Sequence, residues 1–451
     1  MNTTASTFEF TSYKIQENRQ DIVLKYAVVF EDGKRLEFEE VISLPKHIEA
    51  LSEELKKVLD KTIHTLHLIC GMSYWKTFCP SKISIKTQAL TKDQSEFWNT
   101  VYTKGLGEFF YRNKIDFRNL ISFPYSEVEV SESLEIDRGK KALMGIGGGK
   151  DSVVAYELLK KGSILTTAYM LETQKEYELI NEVVESMAID AIHIKRRIDP
   201  ALFETNKLAG AFNGHIPITA IYSIVGLLSA VLYNFKYVVM SNEKSASYGN
   251  LNYLGEEINH QWSKSEEFEQ LFQNYIQTNI TPSIQYFSIL RPWTEMRIVE
   301  EFVKFPKYFH TFSSCNNNFK VYKESLKNSR WCGKCPKCAF VFAMLSAYLP
   351  KNELLQIFNN NLFADDSLID LYRELLGIKD YKPFECVGTP EEVQAAFFKS
   401  YSAKEYNEDI NMKLFITEVL PGINNPEELL NAVRSKGNDS LIPEELRPLL
   451  T

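Results

Sequence analysis

The sequence predicts an α/β fold: a parallel, doubly wound core, preceded by an N-terminal α+β unit and followed by a helical C-terminal extension. Three observations predict it. Residues 7–44 alternate apolar and polar side chains in the strand period. Residues 142–240 alternate short apolar runs with amphipathic ones, as βαβ units do. From 352 onward the apolar spacing is helical and the interruptions are polar or contain proline.

The chain has 451 residues, 44% of them hydrophobic and 24% charged, with 20 Gly and 16 Pro, which excludes disordered and collagen-like classes. No apolar run reaches the roughly 18 residues of a membrane span, and Met1 to Ser6 lacks a basic region followed by an apolar one. The expected setting is the cytoplasm, with no membrane partner. A formal net charge of -8, from 59 acidic against 51 basic residues, argues against a nucleic-acid partner and leaves a small anionic ligand open.

Runs 8–15, 22–30 and 36–44 read as strands, with Asp32-Gly33 as the hairpin turn between the last two. Residues 47–70 carry apolar side chains at helical spacing and should cover one face of that sheet. This α+β unit, residues 1–135, carries no chemical motif. The polar stretch Ser131 to Glu135 suggests its boundary. Next come strand 142–146, helix 153–161, strand 164–171, helix 177–188, strand 191–194, helix 218–233 and strand 237–240, within a core of residues 136–350. Ligands belong at the carboxyl ends of such strands. Residues 351–451 form the helical extension.

Gly145-Ile146-Gly147-Gly148-Gly149-Lys150-Asp151-Ser152 joins a predicted strand to a predicted helix. Glycines let backbone approach a phosphate, and the helix start offers free N–H groups and a positive dipole end. It is no Walker A loop, because Met144 stands where the first Gly belongs and Asp151 follows the Lys. It also fails the dinucleotide fingerprint, since Lys150 occupies the third Gly position.

Of seven cysteines, Cys315, Cys332, Cys335 and Cys338 cluster at metal-ligand spacing. Four thiolates suit a structural Zn²⁺, and Cys-x-x-Cys-x-x-Cys also permits an iron–sulfur cluster. Polar blocks at 241–250, 259–265 and 288–295 supply the candidate chemistry. Glu243, Lys244, His260, Lys264 and Cys386 are candidates for catalysis, and His215, Asn242 and Arg291 for holding substrate. Cys386 fits either a thiol base or a small buried hydrophobe.

The glycine segment resembles the pyrophosphate loop of the ATP pyrophosphatase (PP-loop) superfamily, Ser-Gly-Gly-x-Asp-Ser, with Gly148, Gly149, Asp151 and Ser152 matching and Gly147 in place of the first Ser. Deazaguanine nitrile synthases of that superfamily carry a similar zinc knuckle. A wider set of segments, 147–152, 214–220, 240–247, 259–265, 287–292, 312–315, 331–338 and 383–388, closely resembles the ATP-dependent UDP-N-acetylmuramoyl-L-alanyl-L-glutamate epimerases of peptidoglycan synthesis. The resemblance implies ATP and Mg²⁺, with Gly147, Gly148, Gly149, Lys150, Asp151 and Ser152 around the nucleotide and Asp151 acting through Mg²⁺ or as a loop brace. It also implies a UDP-muramoyl dipeptide as substrate and inversion of its terminal L-Glu through an acyl-adenylate. An ATP-dependent amide or nitrile synthase, and a tRNA-thiolation enzyme, are the rival expectations.

Overall fold

The computed structural model describes residues 4–127, 133–319 and 330–451. Strands β1 (Ala5–Ile15), β2 (Asp21–Phe30) and β3 (Arg35–Ser43) form an antiparallel meander. Gly33 takes φ +83 in the β2–β3 turn, where Lys34 N donates to Asp32 Oδ1 at 3.0 Å, so the predicted hairpin stands at its predicted pair. Helix α1 (Glu53–Trp75) starts later than expected because Ser52 caps it, its side chain accepting from Leu55 N. β4 (Lys82–Ile85) lies parallel to β1 at the sheet edge, and α2 (Lys92–Gly105) and α3 (Gly107–Asn113) follow.

The expected boundary lies partly outside the described residues, at Ser131 and Glu132. Beyond it run β5 (Ala142–Gly145), α4 (Lys150–Lys161), β6 (Thr166–Thr173), α5 (Glu178–Met187) and β7 (Ala191–Arg197). After them come α6 (Ala201–Thr205), α7 (Ile218–Tyr233), β8 (Tyr237–Met240), a small ribbon of β9 (Leu251–Tyr253) and β10 (Glu256–Ile258), α8 (Glu266–Asn279), β11 (Gln285–Ser288) and α9 (Glu295–Phe302). Strands β11, β8, β5, β6 and β7 are parallel in that spatial order. Ala142 and Met144 face a core shared with α4 and α5, while Leu143 between them faces a second core shared with α1 and α7. A strand covered on both faces must be apolar throughout, which is why these strands read as continuous runs.

The sheet does not stop at β7. β3 pairs with it antiparallel, Ile42 opposite Arg196, so one nine-stranded sheet carries strands from both sides of the expected boundary. Glu40 and Arg196 meet at this joint, fully buried, with Nε–Oε1 2.7 Å and Nη2–Oε2 3.1 Å, and Tyr74 OH donates to Glu40 Oε2 at 3.0 Å.

After the short α10 (Asn316–Phe319), helices α11 (Pro336–Ser346), α12 (Lys351–Phe358), α13 (Ile369–Leu375) and α14 (Pro390–Ala403) form the helical C-terminal region. Phe342, Phe363, Tyr372 and Phe397 extend the core of the α4–α5 face into it. Among the described residues no helix is long and apolar enough to cross a membrane.

Strand order reverses between β5 and β8. The connections leaving their carboxyl ends therefore run to opposite faces of the sheet and define a crevice between them, the position where sheets of this kind take ligands. The glycine turn leaves β5 and the block starting at Ser241 leaves β8, so both candidate segments open onto that crevice.

Candidate active site

The glycine turn is shaped by two requirements. Gly148 takes φ +80, which a side chain would strain, and a Cβ on Gly147 would stand in open space with no atom within 4 Å. Helix α4 begins at Lys150, earlier than the expected Val153, with Gly149 as an N-cap that has no side chain to satisfy the first N–H groups. Ser152 Oγ donates to Gly149 O at 2.8 Å, and Ser313 N to Gly148 O at 2.9 Å, which ties the turn to the segment leading into Cys315. Lys150 is buried under the turn, where its ammonium donates to Asp151 Oδ1 at 2.5 Å and to Glu295 Oε2. Burial opposes its charge, but these two carboxylates outweigh it and raise its pKa. Burial, with Asp151 and Glu243 close by, pushes the Glu295 carboxyl up to about 8 despite Lys150. Burial would raise Asp151 too, yet Lys150, Lys337 and Lys264 hold it below its usual value.

At the end of β8, Asn242 is buried, and its Nδ2 has no hydrogen-bond partner among the described residues. Glu243 is buried as well. Arg291 is buried and bonded to scaffold: Nε and Nη2 donate to Glu269 Oε2 at 2.9 and 2.6 Å, Nη1 to Glu243 O at 2.8 Å and Nη2 to Lys264 O at 2.7 Å. The guanidinium thus locks the 241–250 and 259–265 blocks together and spends four of its five N–H donors on protein acceptors. Lys244 points away, its Nζ lying 3.4 Å from Ser435 Oγ on the exposed C-terminal segment. These two side chains therefore serve other contacts than those their sequence positions suggested.

His260, Lys264 and Cys386 do converge. Asn250 accepts from His260 N at 2.8 Å through Oδ1 and donates through Nδ2 to Lys382 O and Pro383 O at 3.0 and 2.9 Å. Gln261 Nε2 donates to Val387 O at 3.1 Å. These bonds hold the 383–388 segment, which leads into α14, against the 259–265 block, and bring the Cys386 thiol into hydrogen-bonding reach of His260 and Lys264. Burial alone would raise the thiol pKa, but Lys264, His260 and Lys337 bring it down to about 5. Burial likewise disfavours the His260 imidazolium, and Cys386 together with Glu108 holds its pKa up at about 9. The two opposite shifts favour a thiolate at Cys386 and an imidazolium at His260. The pair reaches the glycine turn electrostatically through Lys264, which faces both Cys386 and Asp151.

On the far side of His260 stands Glu108. His260 Nδ1 lies 2.5 Å from Glu108 Oε2, Arg112 Nε donates to Oε1 at 2.5 Å, and His215 Nδ1 is 3.5 Å from Oε2. Burial, reinforced by the His260 charge, drops the His215 pKa to about 3, so it is neutral. The ligand atoms of Glu108, His215 and His260 lie within 4.8 Å of one another. The Arg112 guanidinium on the same carboxylate opposes a dication there, and the cluster is a hydrogen-bonded one.

The four clustered cysteines meet as their spacing suggested. Their Sγ atoms all lie within 4.8 Å, with 3.7 Å for Cys332–Cys338, 3.5 Å for Cys335–Cys338 and 4.0 Å for Cys315–Cys335. A tetrahedron of thiolates about 2.3 Å from one ion has edges of about 3.8 Å. The set fits a single tetrahedral metal and is too tight to enclose an iron–sulfur cluster. Cys335 is the N-cap of α11, and Lys337 in that helix's first turn faces Cys386 and Asp151, so the knuckle sets the position of one cation at the site.

Sequence reasoning missed four contributors. Glu295 ended a recognised polar block but was not singled out, and Lys337 sat inside the cysteine motif. Asn250 ended another polar block and was not singled out either. Glu108 lies in the N-terminal unit with no motif around it, and the one available signal was the Gly105-Leu106-Gly107 break between two helices.

Comparison with known proteins matches residues 1–289 to the MurL N-terminal domain and residues 311–428 to the MurL C-terminal domain. The chain is 37% identical over 424 residues to the UDP-N-acetyl-alpha-D-muramoyl-L-alanyl-L-glutamate epimerase of Xanthomonas oryzae pv. oryzae, covering 94% of this chain and 92% of that protein. It is 38% identical over 387 residues to the protein of the same description from Salinispora tropica, covering 85% and 82%.

Proposed function

Because the chain belongs to the MurL family, we propose that it inverts the terminal L-glutamate of UDP-N-acetylmuramoyl-L-alanyl-L-glutamate, giving the D-glutamate form used in peptidoglycan precursor synthesis. The observation that carries this reading is the Cys386 thiolate, held by His260 and Lys264 in the crevice onto which the glycine turn opens.

The α-C–H of a free carboxylate resists deprotonation, because the enolate would add charge to a group already charged. ATP solves this by activation. The glycine turn of the PP-loop type receives the β- and γ-phosphates on the open N–H groups of α4, beside the clear space at Gly147. The glutamate α-carboxylate displaces pyrophosphate from the α-phosphorus, and the resulting acyl-adenylate carries no charge on its carbonyl. The Cys386 thiolate takes the α-proton, and Lys264 stands beside the site where charge develops on the acyl oxygen. A proton returns to the opposite face, and water cleaves the mixed anhydride to AMP and the D-glutamyl product. Asn242 Nδ2, left without a partner, is the donor for the substrate amide or carboxylate.

Asp151 is already shared with Lys150 and faced by Lys264 and Lys337. Mg²⁺ would therefore be carried by the phosphates, with Asp151 as the protein group nearest to it. Cys315, Cys332, Cys335 and Cys338 would hold one Zn²⁺ with no open coordination position, a structural role supported by their spacing.

Incubation with the UDP-muramoyl dipeptide, ATP and Mg²⁺, followed by chiral analysis of the glutamate and assay of the nucleotide products, tests this reading. D-glutamate with AMP and pyrophosphate is expected, and none without ATP. Release of ADP and phosphate would remove the adenylate, and an ammonia-dependent amide product would make the chain a synthase.

A further inference from the structure

Glu108 lies 152 residues before His260 in the chain, yet its carboxylate is the closest polar group to His260 Nδ1, at 2.5 Å. Since Nδ1 is taken by Glu108, the ring has only Nε2 to present to Cys386. We propose that Glu108 is a positioning residue of the proton-transfer centre: it fixes the orientation of His260, the imidazole that faces Cys386. The inference deepens the epimerase reading and rests on it.

The backbone around Glu108 serves this placement. A Cβ on Gly105 would lie 2.8 Å from Pro217 Cγ, and one on Gly107 would lie 3.2 Å from Ile258 Cδ1. Glycine at both positions lets the start of α3 lie close against Pro217 and Ile258. Glu108 is the next residue, and its Oε2 meets the Nδ1 edges of both His260 and His215, whose ring centroids are 4.4 Å apart. Arg112, one turn along α3, takes the other carboxylate oxygen and keeps the group from rotating away. The N-terminal unit, which carries no chemical motif of its own, thereby completes the site.

The arrangement of carboxylate, imidazole and sulfur works in the same sense as any carboxylate-oriented imidazole. The acid does not take the proton; it selects the tautomer and stabilises the imidazolium. The ionisable groups facing His260 are Glu108, Cys386 and Glu385, with neutral His215 at its side. Replacing Glu108 by a neutral group lowers the pKa of His260, withdraws the cation beside the thiolate and raises the pKa of Cys386.

The test uses the full chain and two readouts. The first is the pH dependence of iodoacetamide alkylation of Cys386, followed by mass spectrometry of its peptide. The second is kcat and KM for epimerisation. In the parent chain the alkylation midpoint should lie near 5. In Glu108→Gln it should rise by about one unit or more, with kcat reduced roughly 10²-fold and KM for ATP unchanged. Glu108→Asp keeps the charge but sets it back by one methylene, and should fall between the two on both readouts; it also serves if the Gln variant folds poorly. An unchanged midpoint in Glu108→Gln, a Cys386 that alkylates at no pH, or a retained kcat overturns the proposal. A parent chain with a low midpoint that fails to epimerise would sink the epimerase reading instead, while a midpoint shift in Glu108→Gln would still support the link from Glu108 through His260 to Cys386.

Discussion

Cys70 is buried and Cys386 half-buried, and the two differ sharply in the charge they face. Cys70 lies in the apolar core beside Glu40, and burial with that carboxylate drives its pKa well above the ordinary value despite Arg196. Cys386 is surrounded by Lys264, Lys337 and His260 and falls to about 5. The sequence made Cys386 a candidate through its motif but left open whether it was a base or a buried hydrophobe, because the three cations come from residues 260, 264 and 337. With the thiol at about 5 and His260 at about 9, the thiolate–imidazolium pair is lost as pH falls through the first value and as it rises through the second. The profile of kcat/KM should therefore be bell-shaped, with limbs near pH 5 and 9 that belong to the pair jointly. Cys386→Ser should lose both inversion and the incorporation of solvent deuterium at the glutamate α-carbon by at least about 10²-fold. Substrate-dependent exchange of pyrophosphate into ATP should persist in that variant, because adenylation precedes the proton step. Inversion retained by the serine variant would remove the thiol from the mechanism.

Elements were legible where their signals were local. Helix Ile218–Tyr233 and strand Tyr237–Met240 stand at the ends their apolar runs indicated. Helix α4 starts earlier than its apolar face because its first turn consists of Lys150, Asp151 and Ser152, residues set by the site and not by core packing. The cysteine knuckle was legible from spacing alone. Its effect on the site was not, since that runs through Lys337 in the first turn of α11. Cys335→Ser, or prolonged chelation, should release one Zn²⁺ per chain and lower the melting temperature. It should also reduce kcat more than the KM for ATP, as Lys337 moves off the thiol. Metal content, calorimetry and steady-state kinetics on the same sample check this. A stoichiometry of iron and sulfide in place of zinc would replace the metal assignment.

Across the whole molecule, the joint between β3 and β7 matters most. The parallel strands and the N-terminal meander share one sheet, and the core beneath α1 and α7 holds residues from both, among them Phe10, Tyr26, Leu143 and Ile224. Glu40→Gln would leave the buried Arg196 guanidinium without its counter-charge and should cost about 3–5 kcal/mol in chemical denaturation. The loss should appear as a single cooperative transition, because the core beneath α1 and α7 is built from both sides of the joint. Two resolved transitions would indicate independent domains.

From its sequence alone the chain determined its strand and helix types, the glycine turn, the cysteine set and the family resemblance. Each of these is written in spacing over a few residues, or in short segments kept in order, where periodicity, φ preference and ligand geometry act locally. The tertiary structure decided that Arg291 pairs with Glu269 and that Lys244 lies against Ser435. It decided that Glu108 reaches His260, and that the N-terminal strands continue the central sheet. Those outcomes depend on which distant segments pack together. Charge, burial and pKa are properties of the neighbours a side chain acquires on folding, and residues as far apart as Glu108 and Cys386 become neighbours only then.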